Sequence, residues 1–273
     1  MKSLNLASQF NLKRRVAIVT GGLGMLGREF TKALLQANAR VAVFDIVDPS
    51  KSDAALAKKS PLKFFKVDVT NEKEVSSAVR QIQQKWDTPT ILVNNVGWKA
   101  SPRDPRAGAP FQKYPMDLWE EAFKANTLSA AVCSKIIGGA MIRRKKPGAI
   151  INIASLYALA SPDQRIYDYK LKETGKKFFK DPPYGASKAA LITFTRDLAV
   201  QWAPYGIRVV AMAPGGVEKE KSDKAFVRAY SSRTPLGRMA RKDDFNGALV
   251  FLASDAASYI TGTTLVIDGG WTA

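Results

Sequence analysis

Short β-branched runs alternate along the chain with longer amphipathic stretches, and this alternation constrains the fold more than any other feature. Buried strands are short and rich in Val and Ile, whereas helices repeat their apolar residues every three or four positions. The pattern therefore predicts an α/β fold, a doubly wound parallel sheet of about seven strands with helices on both faces. The predicted strands are Val16–Val19, Val41–Phe44, Phe64–Val67, Ile91–Val93, Ala149–Ile153, Ile207–Ala211 and Thr264–Ile267, and the predicted helices are Leu26–Gln36, Glu72–Lys85, Leu118–Ile142, Ala186–Trp202 and Asp244–Leu252.

The length of 273 residues suits one large domain, and no linker or internal repeat divides residues 1–273. Two irregular, Pro-rich and charged tracts lie near 98–115 and 161–183. Both follow a predicted strand end, where open α/β sheets bind their ligands. We therefore expect both tracts to be substrate loops.

Histidine is absent and cysteine occurs once. The first fact excludes hydrolases that use a histidine base as well as the usual zinc enzymes, and the second excludes a disulfide framework. Cys133 lies in an apolar run and is expected to be buried and unreactive. Acid-base chemistry must then use Tyr, Lys, Asp or Glu, and no metal site is predicted.

The formal charge of +18 reflects 42 basic against 24 acidic residues. Such an excess attracts nucleic acid, anionic membranes or acidic small molecules, or it marks a solvated surface. The first residues lack a continuous apolar segment, and no stretch holds about 18 consecutive apolar residues. The sequence therefore predicts neither a signal peptide nor a membrane span. We accordingly expect a cytoplasmic protein.

The first chemical motif is the glycine-rich turn of RVAIVTGGLGMLGREF, between a predicted strand and a predicted helix. Gly22, Gly24 and Gly27 satisfy the G-x-G-x-x-G pattern. Glycines there let the backbone approach a pyrophosphate, whose charge meets the amide groups at the helix start. The motif predicts a dinucleotide site.

Asp45 ends the next predicted strand, at the spacing expected for an acid that binds the adenosine ribose hydroxyls. This favours NAD, because an NADP site usually offers Arg or Lys to the 2'-phosphate, whereas Leu23 and Ile46 stand here. Arg28 and Arg40 keep NADP open as the less favoured alternative.

The second motif is Tyr184-Gly185-Ala186-Ser187-Lys188, which follows two prolines at a predicted helix start. Residues four apart share one helix face, so the tyrosine oxygen and the lysine ammonium can address one site. A free tyrosine with a pKa of about 10 is a poor base near neutrality, and a close cation lowers that pKa. The pair is therefore a candidate acid-base unit.

Asn94-Asn95-Val96-Gly97, Asn126, Ser155 and Pro214-Gly215 complete a set of motifs in one order along the chain. Together they resemble the short-chain dehydrogenase/reductase family, whose members have a Rossmann-like fold. TGGLGMLG resembles the cofactor loop of that family, NNVG its NNAG, and INIAS the strand that ends in the catalytic serine. The resemblance extends from Val16 to the closing YITGTTLVIDGGWTA.

The resemblance implies an NAD(P)-dependent oxidoreductase that transfers hydride between nicotinamide and a secondary alcohol or ketone. Tyr184 would be the catalytic acid or base, and Ser155 would hydrogen-bond the reacting oxygen. Lys188 would bind the nicotinamide ribose and lower the tyrosine pKa, and Asn126 would hold a proton-relay water through the lysine. The implied cofactor contacts are Gly21, Gly22, Gly24, Met25, Leu26, Gly27, Asp45, Ile46, Asp68, Val69, Asn95, Val96, Gly97, Tyr184, Lys188, Pro214, Gly215 and Val217.

The chain departs from the family pattern in three ways. Met25 stands where the common loop has its second glycine, and Gly216-Val217-Glu218 replaces the threonine often found after the Pro-Gly turn. Ser155 and Tyr184 are also separated by an insertion compared with many relatives. Tyr157, Tyr167 and Tyr169 in that insertion are candidates for the substrate wall.

The segment SLYALASPDQRIYDY and the later FVRAYSSRTPLGRM resemble a bacterial subgroup associated with surface-polysaccharide and nonulosonic-acid or flagellin-glycan modification. The tract 161–183 has six basic residues, and the first loop adds Lys99, Arg103, Arg106 and Lys113. Basic loops suit an anionic substrate, so an acidic or phosphorylated sugar derivative is one hypothesis.

Two other classes stay open from the residues alone. One is a nucleic-acid-binding protein, for which the run Arg143–Lys146 is the best patch, although cations at a helix end also have a local structural role. The other is a catalytically silent NAD-sensing protein, which would not need the Ser, Tyr and Lys. By resemblance, we also expect a homotetramer or homodimer.

Overall fold

The computed structural model describes residues 5–98, 100, 104 and 106–273. Its centre is one sheet of seven parallel strands in the order β3-β2-β1-β4-β5-β6-β7. The predicted α/β fold is confirmed, with each predicted strand present. The strands are β1 Val16–Thr20, β2 Arg40–Asp45, β3 Leu62–Lys66, β4 Ile91–Asn94, β5 Gly148–Ile153, β6 Ile207–Pro214 and β7 Thr264–Ile267. The predicted loop cations Lys99 and Arg103 lie outside the described residues.

The helices of the described residues include all five that the sequence predicts. They are α1 Leu6–Gln9, α2 Met25–Gln36, α3 Lys51–Lys59, α4 Glu72–Lys85, α5 Met116–Arg143, α6 Asp168–Thr174, α7 Pro182–Trp202, α8 Lys224–Ser231 and α9 Asn246–Ala253. Helix α7 begins at two prolines, whose fixed φ and missing amide hydrogen suit the first turn.

The tract 161–183 was predicted to be irregular, and this prediction is wrong for part of it. It contains a 3-10 turn at Gln164–Tyr167 and then α6. Helices α3 and α8 were also missed, because both are short and their first turns depend on local caps. The Ser50 hydroxyl and the Asp53 carboxylate form a reciprocal capping box at α3, and the Asp223 carboxylate accepts from two amides at the start of α8.

Two hydrophobic cores lie on opposite faces of the sheet, because successive strand side chains point in opposite directions. On one face, Val19 of β1 belongs to the same buried cluster as Phe30 of α2 and Leu249 of α9. On the other face, Ile18 lies in a cluster with Ile82 of α4 and Ile137 of α5. Burial on both faces explains why the strands read as continuous apolar runs.

Helix α5 is long and apolar enough, by length and composition alone, to cross a membrane. However, 56% of its most apolar 18-residue window is buried inside the fold. Its apolar residues, Ile137 among them, pack on the sheet. Core packing therefore accounts for its composition.

The basic run Arg143–Lys146 lies where α5 ends and the chain turns toward β5. The Lys146 ammonium is 3.3 Å from the Asp87 carboxylate. This ion pair is one local role of the run, and its position at the end of a helix also suits cations. The run also lies at the amino ends of the strands, away from the edge where such sheets bind ligands.

The glycine turn between β1 and α2 requires close approach of backbone to backbone. A Cβ at Gly27 would lie 2.6 Å from the Cα of Gly22 and would collide with the carbonyl oxygen of Gly21. Both obstacles are main-chain atoms, so relief would require movement of the turn. By contrast, a Cβ at Gly247 in α9 would meet nothing within 4 Å.

We expect Gly27→Ala to lower the free energy of unfolding by about 1–3 kcal/mol, because an extra methyl overpacks a rigid site. The matched substitution Gly247→Ala should raise it by up to about 1 kcal/mol, because alanine is the better helix former. Urea denaturation followed by circular dichroism measures both. Equal effects of the two substitutions would contradict the role given to Gly27.

Candidate active site

The glycine turn lies where the strand order reverses between β1 and β4. Gly21 has φ +59° and donates its amide hydrogen to the Phe44 carbonyl. The Asn95 side chain donates to the carbonyl oxygens of Thr20 and Gly21, both at 3.1 Å. Its main-chain amide donates to Thr20 Oγ1 at 3.0 Å. Asn95 therefore fixes the turn to the loop after β4.

The turn also fits a pyrophosphate, since its glycines leave the start of α2 accessible. Gly22 has a different role, since a Cβ there would lie 2.6 Å from the Val43 side chain and prevent the turn from packing on β2. Gly24 occupies the position before the first helical residue, Met25. Met25 takes a family glycine position without blocking the turn, because it begins the helix and is 37% exposed. Met25 and Leu26 both line the cavity. The free amides of a helix start suit an anion.

Asp45 stands at the carboxyl end of β2, next to this turn. Its Oδ2 accepts from the Leu23 amide at 2.9 Å, and its Oδ1 accepts from the Val47 amide at 3.4 Å. Ile46 beside it is 65% exposed. The carboxylate can therefore accept further hydrogen bonds at the surface where the sequence predicts the adenosine ribose.

Of the two arginines that kept NADP open as an alternative, Arg28 is paired with another side chain and Arg40 lies far from Asp45. The Arg28 guanidinium donates to both Asp53 carboxylate oxygens, at 3.0 and 2.8 Å, and also to the Leu23 carbonyl. This pairing holds the pKa of Asp53 well below its usual range. Arg40 begins β2, whereas Asp45 ends it, about 16 Å apart at the usual rise of a strand.

Asp68 and Val69 follow β3, on the adenine side that the resemblance implies. Asp68 is exposed, and its Oδ1 accepts from the amide and the hydroxyl of Thr70 at 2.9 and 2.7 Å. These bonds hold the pKa of Asp68 below its usual value. Val69 is buried. Asp68 therefore shapes a turn, and its adenine contact stays a prediction.

Tyr184, Ser155 and Lys188 lie together on the wall of a cavity of about 500 Å³. The cavity opens at the carboxyl ends of the strands and extends to Leu26 at the glycine turn. Predicted residues that share its wall are Met25, Leu26, Asn95, Gly97, Ser155, Tyr184, Lys188, Pro214, Gly215 and Val217. Segments far apart in sequence thus meet at one site.

Lys188 is 2% exposed and donates to the carbonyl oxygens of Ile153 at 2.7 Å and Val96 at 3.2 Å. Burial lowers its pKa to about 7. Burial raises the pKa of Tyr184, and a hydrogen bond with Ser155 acts in the opposite direction. In the protein alone, desolvation of the phenol thus outweighs the lowering of its pKa that we expected from Lys188.

Asn126 lies in a π-helical segment of α5, Lys124–Leu128. Such one-turn widenings are frequent at functional sites. Its Oδ1 accepts from the Trp98 amide at 2.6 Å, and its Nδ2 donates to Ser187 Oγ at 2.9 Å. The side chain thus joins the loop after β4 to the residue preceding Lys188, and its relay role stays a prediction.

Pro214, Gly215 and Val217 continue from the end of β6 along the cavity. The family threonine expected here is absent. The Gly216 amide instead donates to the Tyr230 hydroxyl at 2.6 Å. Tyr230, from α8, therefore fixes this turn.

Aromatic side chains form part of the cavity wall. Tyr157, Tyr167 and Tyr169 line the cavity, and their contact with a substrate stays a prediction. Phe226 and Tyr230 of α8 also line it, and the Phe226 ring stacks with Tyr167 at a centroid distance of 5.7 Å. Neither residue was predicted from the sequence, although their spacing of four residues, which places both on one helix face, was an available signal.

Lys188 predicts a dependence of stability on pH. Its folded pKa of about 7 lies below the unfolded value of 10.5, so the unfolded chain binds more protons between those values. Stability should therefore rise with pH in this window relative to Lys188→Met, by up to about 1 kcal/mol per pH unit. Urea denaturation of both proteins at pH 6, 7, 8 and 9 measures the difference, and parallel curves would contradict the lowered pKa.

Comparison with known proteins places this site in a family. Residues 15–168 match the family described as short chain dehydrogenase, and residues 173–272 match that described as Enoyl-(Acyl carrier protein) reductase. A 2-dehydro-3-deoxy-D-gluconate 5-dehydrogenase of Pseudoalteromonas atlantica is 30% identical in an alignment of length 272 that covers 96% of this chain and 98% of the relative.

Solved structures agree over the whole chain. A short-chain dehydrogenase from Leptospira borgpetersenii with bound NAD+ has a TM-score of 0.85 and 30% identity, covering 100% of this chain and 98% of that one. A gluconate 5-dehydrogenase from Burkholderia cenocepacia in complex with NADP and tartrate has a TM-score of 0.82 and 28% identity, covering 98% and 99%. By its residues and its fold, the chain belongs to the short-chain dehydrogenase family.

Proposed function

We propose that this protein is an NAD-preferring dehydrogenase that oxidises a secondary alcohol of a sugar-like substrate, or reduces the corresponding ketone. The observation that carries the proposal is the meeting of Tyr184, Ser155 and Lys188 on one cavity wall that reaches the glycine turn. The related dehydrogenases named for gluconate derivatives support the substrate class and favour an oxidoreductase over the NAD-sensing or nucleic-acid-binding alternatives.

The residues of the site suit proton transfer to or from a carbinol oxygen. A bound nicotinamide would supply the hydride chemistry. Tyr184 would donate its phenolic proton during reduction, for which the raised pKa keeps the group protonated. During oxidation it would take the proton, helped by a protonated Lys188, since a nearby cation favours the phenolate. Ser155 would hold the reacting oxygen by a hydrogen bond.

Asp45 supports the preference for NAD. Its carboxylate can accept hydrogen bonds from the ribose hydroxyls, whereas it would repel a 2'-phosphate. Arg28 cannot turn to that phosphate without giving up the two bonds to Asp53. One related structure has bound NAD+ and another has NADP, so the preference for NAD is inferred from these side chains.

We also propose a cytoplasmic homodimer or homotetramer. Leu128 of α5 and Val200 of α7 are 49% and 79% exposed, as is 39% of Val266 on the edge strand β7. Exposed apolar side chains on helices and a sheet edge suit contacts between copies. Cys133 is the one cysteine of the chain and is buried, which suits a reducing compartment.

Substitution of Tyr184 by Phe removes the hydroxyl and keeps the ring. We expect kcat with NAD and a polyol or sugar-acid substrate to fall at least about 100-fold, the scale of general acid-base catalysis. NADH binding, measured by fluorescence titration, should stay within about threefold. Tyr205→Phe, at an exposed tyrosine, is the matched control, and turnover retained by Tyr184→Phe would refute the assignment.

Asp45→Ser tests the cofactor preference. Loss of the charged acceptor should weaken NADH binding about 10- to 100-fold and narrow the discrimination against NADPH. Asp48→Asn removes a similar charge from an exposed residue that pairs with Lys66, and should leave the ratio unchanged. Parallel titrations with NADH and NADPH measure the ratio, and a ratio unaffected by Asp45→Ser would contradict the role of Asp45.

A further inference from the structure

Three lysine side chains from separate segments line the substrate side of the cavity. Lys170 belongs to α6, Lys180 lies just before α7, and Lys219 follows β6. Tyr184 lines the same cavity. Their convergence brings three ammonium groups to the space next to the proposed acid-base residue.

The charge of this wall is strongly one-sided. Its lining contains four lysines, Lys188 included, and one carboxylate, that of Asp181. Asp181 is 5% exposed and accepts hydrogen bonds from the Tyr114 hydroxyl at 3.2 Å and the Gly108 amide at 3.3 Å. Its acceptor capacity is therefore directed in part toward the loop before α5.

Within the described part of the chain, Lys170, Lys180 and Lys219 have no carboxylate within 4.0 Å. Glu218 and Glu220 flank Lys219 in sequence, but neither is among the cavity-lining residues. Acidic residues elsewhere on the protein pair readily with lysine and arginine. The cavity lysines therefore retain donors for a ligand.

Aromatic rings position two of these ammonium groups. Lys170 Nζ lies 3.8 Å from the centroid of the Phe178 ring, and Lys180 Nζ lies 4.7 Å from that of Tyr184. Such contacts hold an ammonium group in place without neutralising its charge. Burial lowers the pKa of Lys180, the Asp181 charge acts in the opposite direction, and the charges of Lys170 and Lys219 lower the pKa further. Like charges held together in a cavity suit an anionic partner.

We propose that Lys170, Lys180 and Lys219 form the subsite for an anionic group, carboxylate or phosphate, of the substrate. The inference rests on the proposed function and narrows its substrate class. Because Lys180 Nζ lies over the Tyr184 ring, an anion bound by Lys180 would lie close to the reacting carbinol. A small hydroxy acid or sugar phosphate meets this requirement, whereas a neutral polyol offers these ammonium groups no opposite charge.

The first test compares D-gluconate and D-glucitol 6-phosphate with neutral D-glucitol, using NAD. The unaltered enzyme should give a higher kcat/KM with at least one anion, by at least about tenfold. Lys170→Gln and Lys219→Gln should each reduce the ratio of anionic to neutral kcat/KM by about 10-fold or more, the usual loss of a charge-assisted hydrogen bond. Lys180 is left intact because it contacts Tyr184.

Lys176→Gln is the matched control, since Lys176 is exposed in the same insertion and does not line the cavity. It should leave both rates unchanged. An equal preference for neutral glucitol, or ratios unaffected by Lys170→Gln and Lys219→Gln, would overturn the subsite while the Tyr184 assignment stands. The two anionic substrates distinguish a carboxylate from a phosphate as the group that is bound.

A binding measurement keeps the test independent of turnover. Calorimetric titration of the NADH-loaded protein with tartrate and with inorganic phosphate should show binding of at least one anion, weakened at least tenfold in Lys170→Gln/Lys219→Gln. Binding of neither anion, or binding that the double substitution leaves unchanged, would overturn the subsite. Turnover retained by Tyr184→Phe would instead refute the proposed function, and the titration would still decide the subsite.

Discussion

A buried ammonium group ties the site to the sheet. Lys188 donates to carbonyl oxygens that follow β4 and end β5, so one side chain of α7 fastens the helix to two strand ends. Burying a cation is unfavourable unless its donors are satisfied, and these carbonyl groups satisfy two of them. The position of Tyr184, one helical turn earlier, depends on this attachment. The lowered pKa of Lys188 is the cost of placing the cation there.

The sheet was predictable because its signal is local and repeated. A strand buried on both faces reads as a short apolar run, as at β1 and β5, and turns with glycine or proline separate it from the next element. The glycine turn and the Tyr184 and Lys188 pair are equally local, since each function depends on a spacing of a few residues. Their meeting in space followed from the parallel order of the strands, whose carboxyl ends share one edge.

Other features depend on contacts between distant segments and left little trace in the sequence. The wall formed by Phe226 and Tyr230 requires α8 to pack on the insertion between Ser155 and Tyr184. The lysine subsite likewise joins an insertion residue to Lys219, beyond β6. Even the direction of the Tyr184 pKa shift follows from burial, which composition and spacing do not give. Such properties belong to the assembled cavity.

Asp181 connects the loop before α5 to the helix that carries Tyr184. Its carboxylate binds the Gly108 amide and the Tyr114 hydroxyl, and it immediately precedes α7, which carries Tyr184. The loop and the first turn of the helix that carries the phenol are therefore held together through one buried carboxylate. A substitution that moved Gly108 or Tyr114 would act on the same side chain that precedes the phenol by three residues. The geometry of proton transfer thus depends on residues that lie 73 and 67 positions earlier in the chain than Asp181.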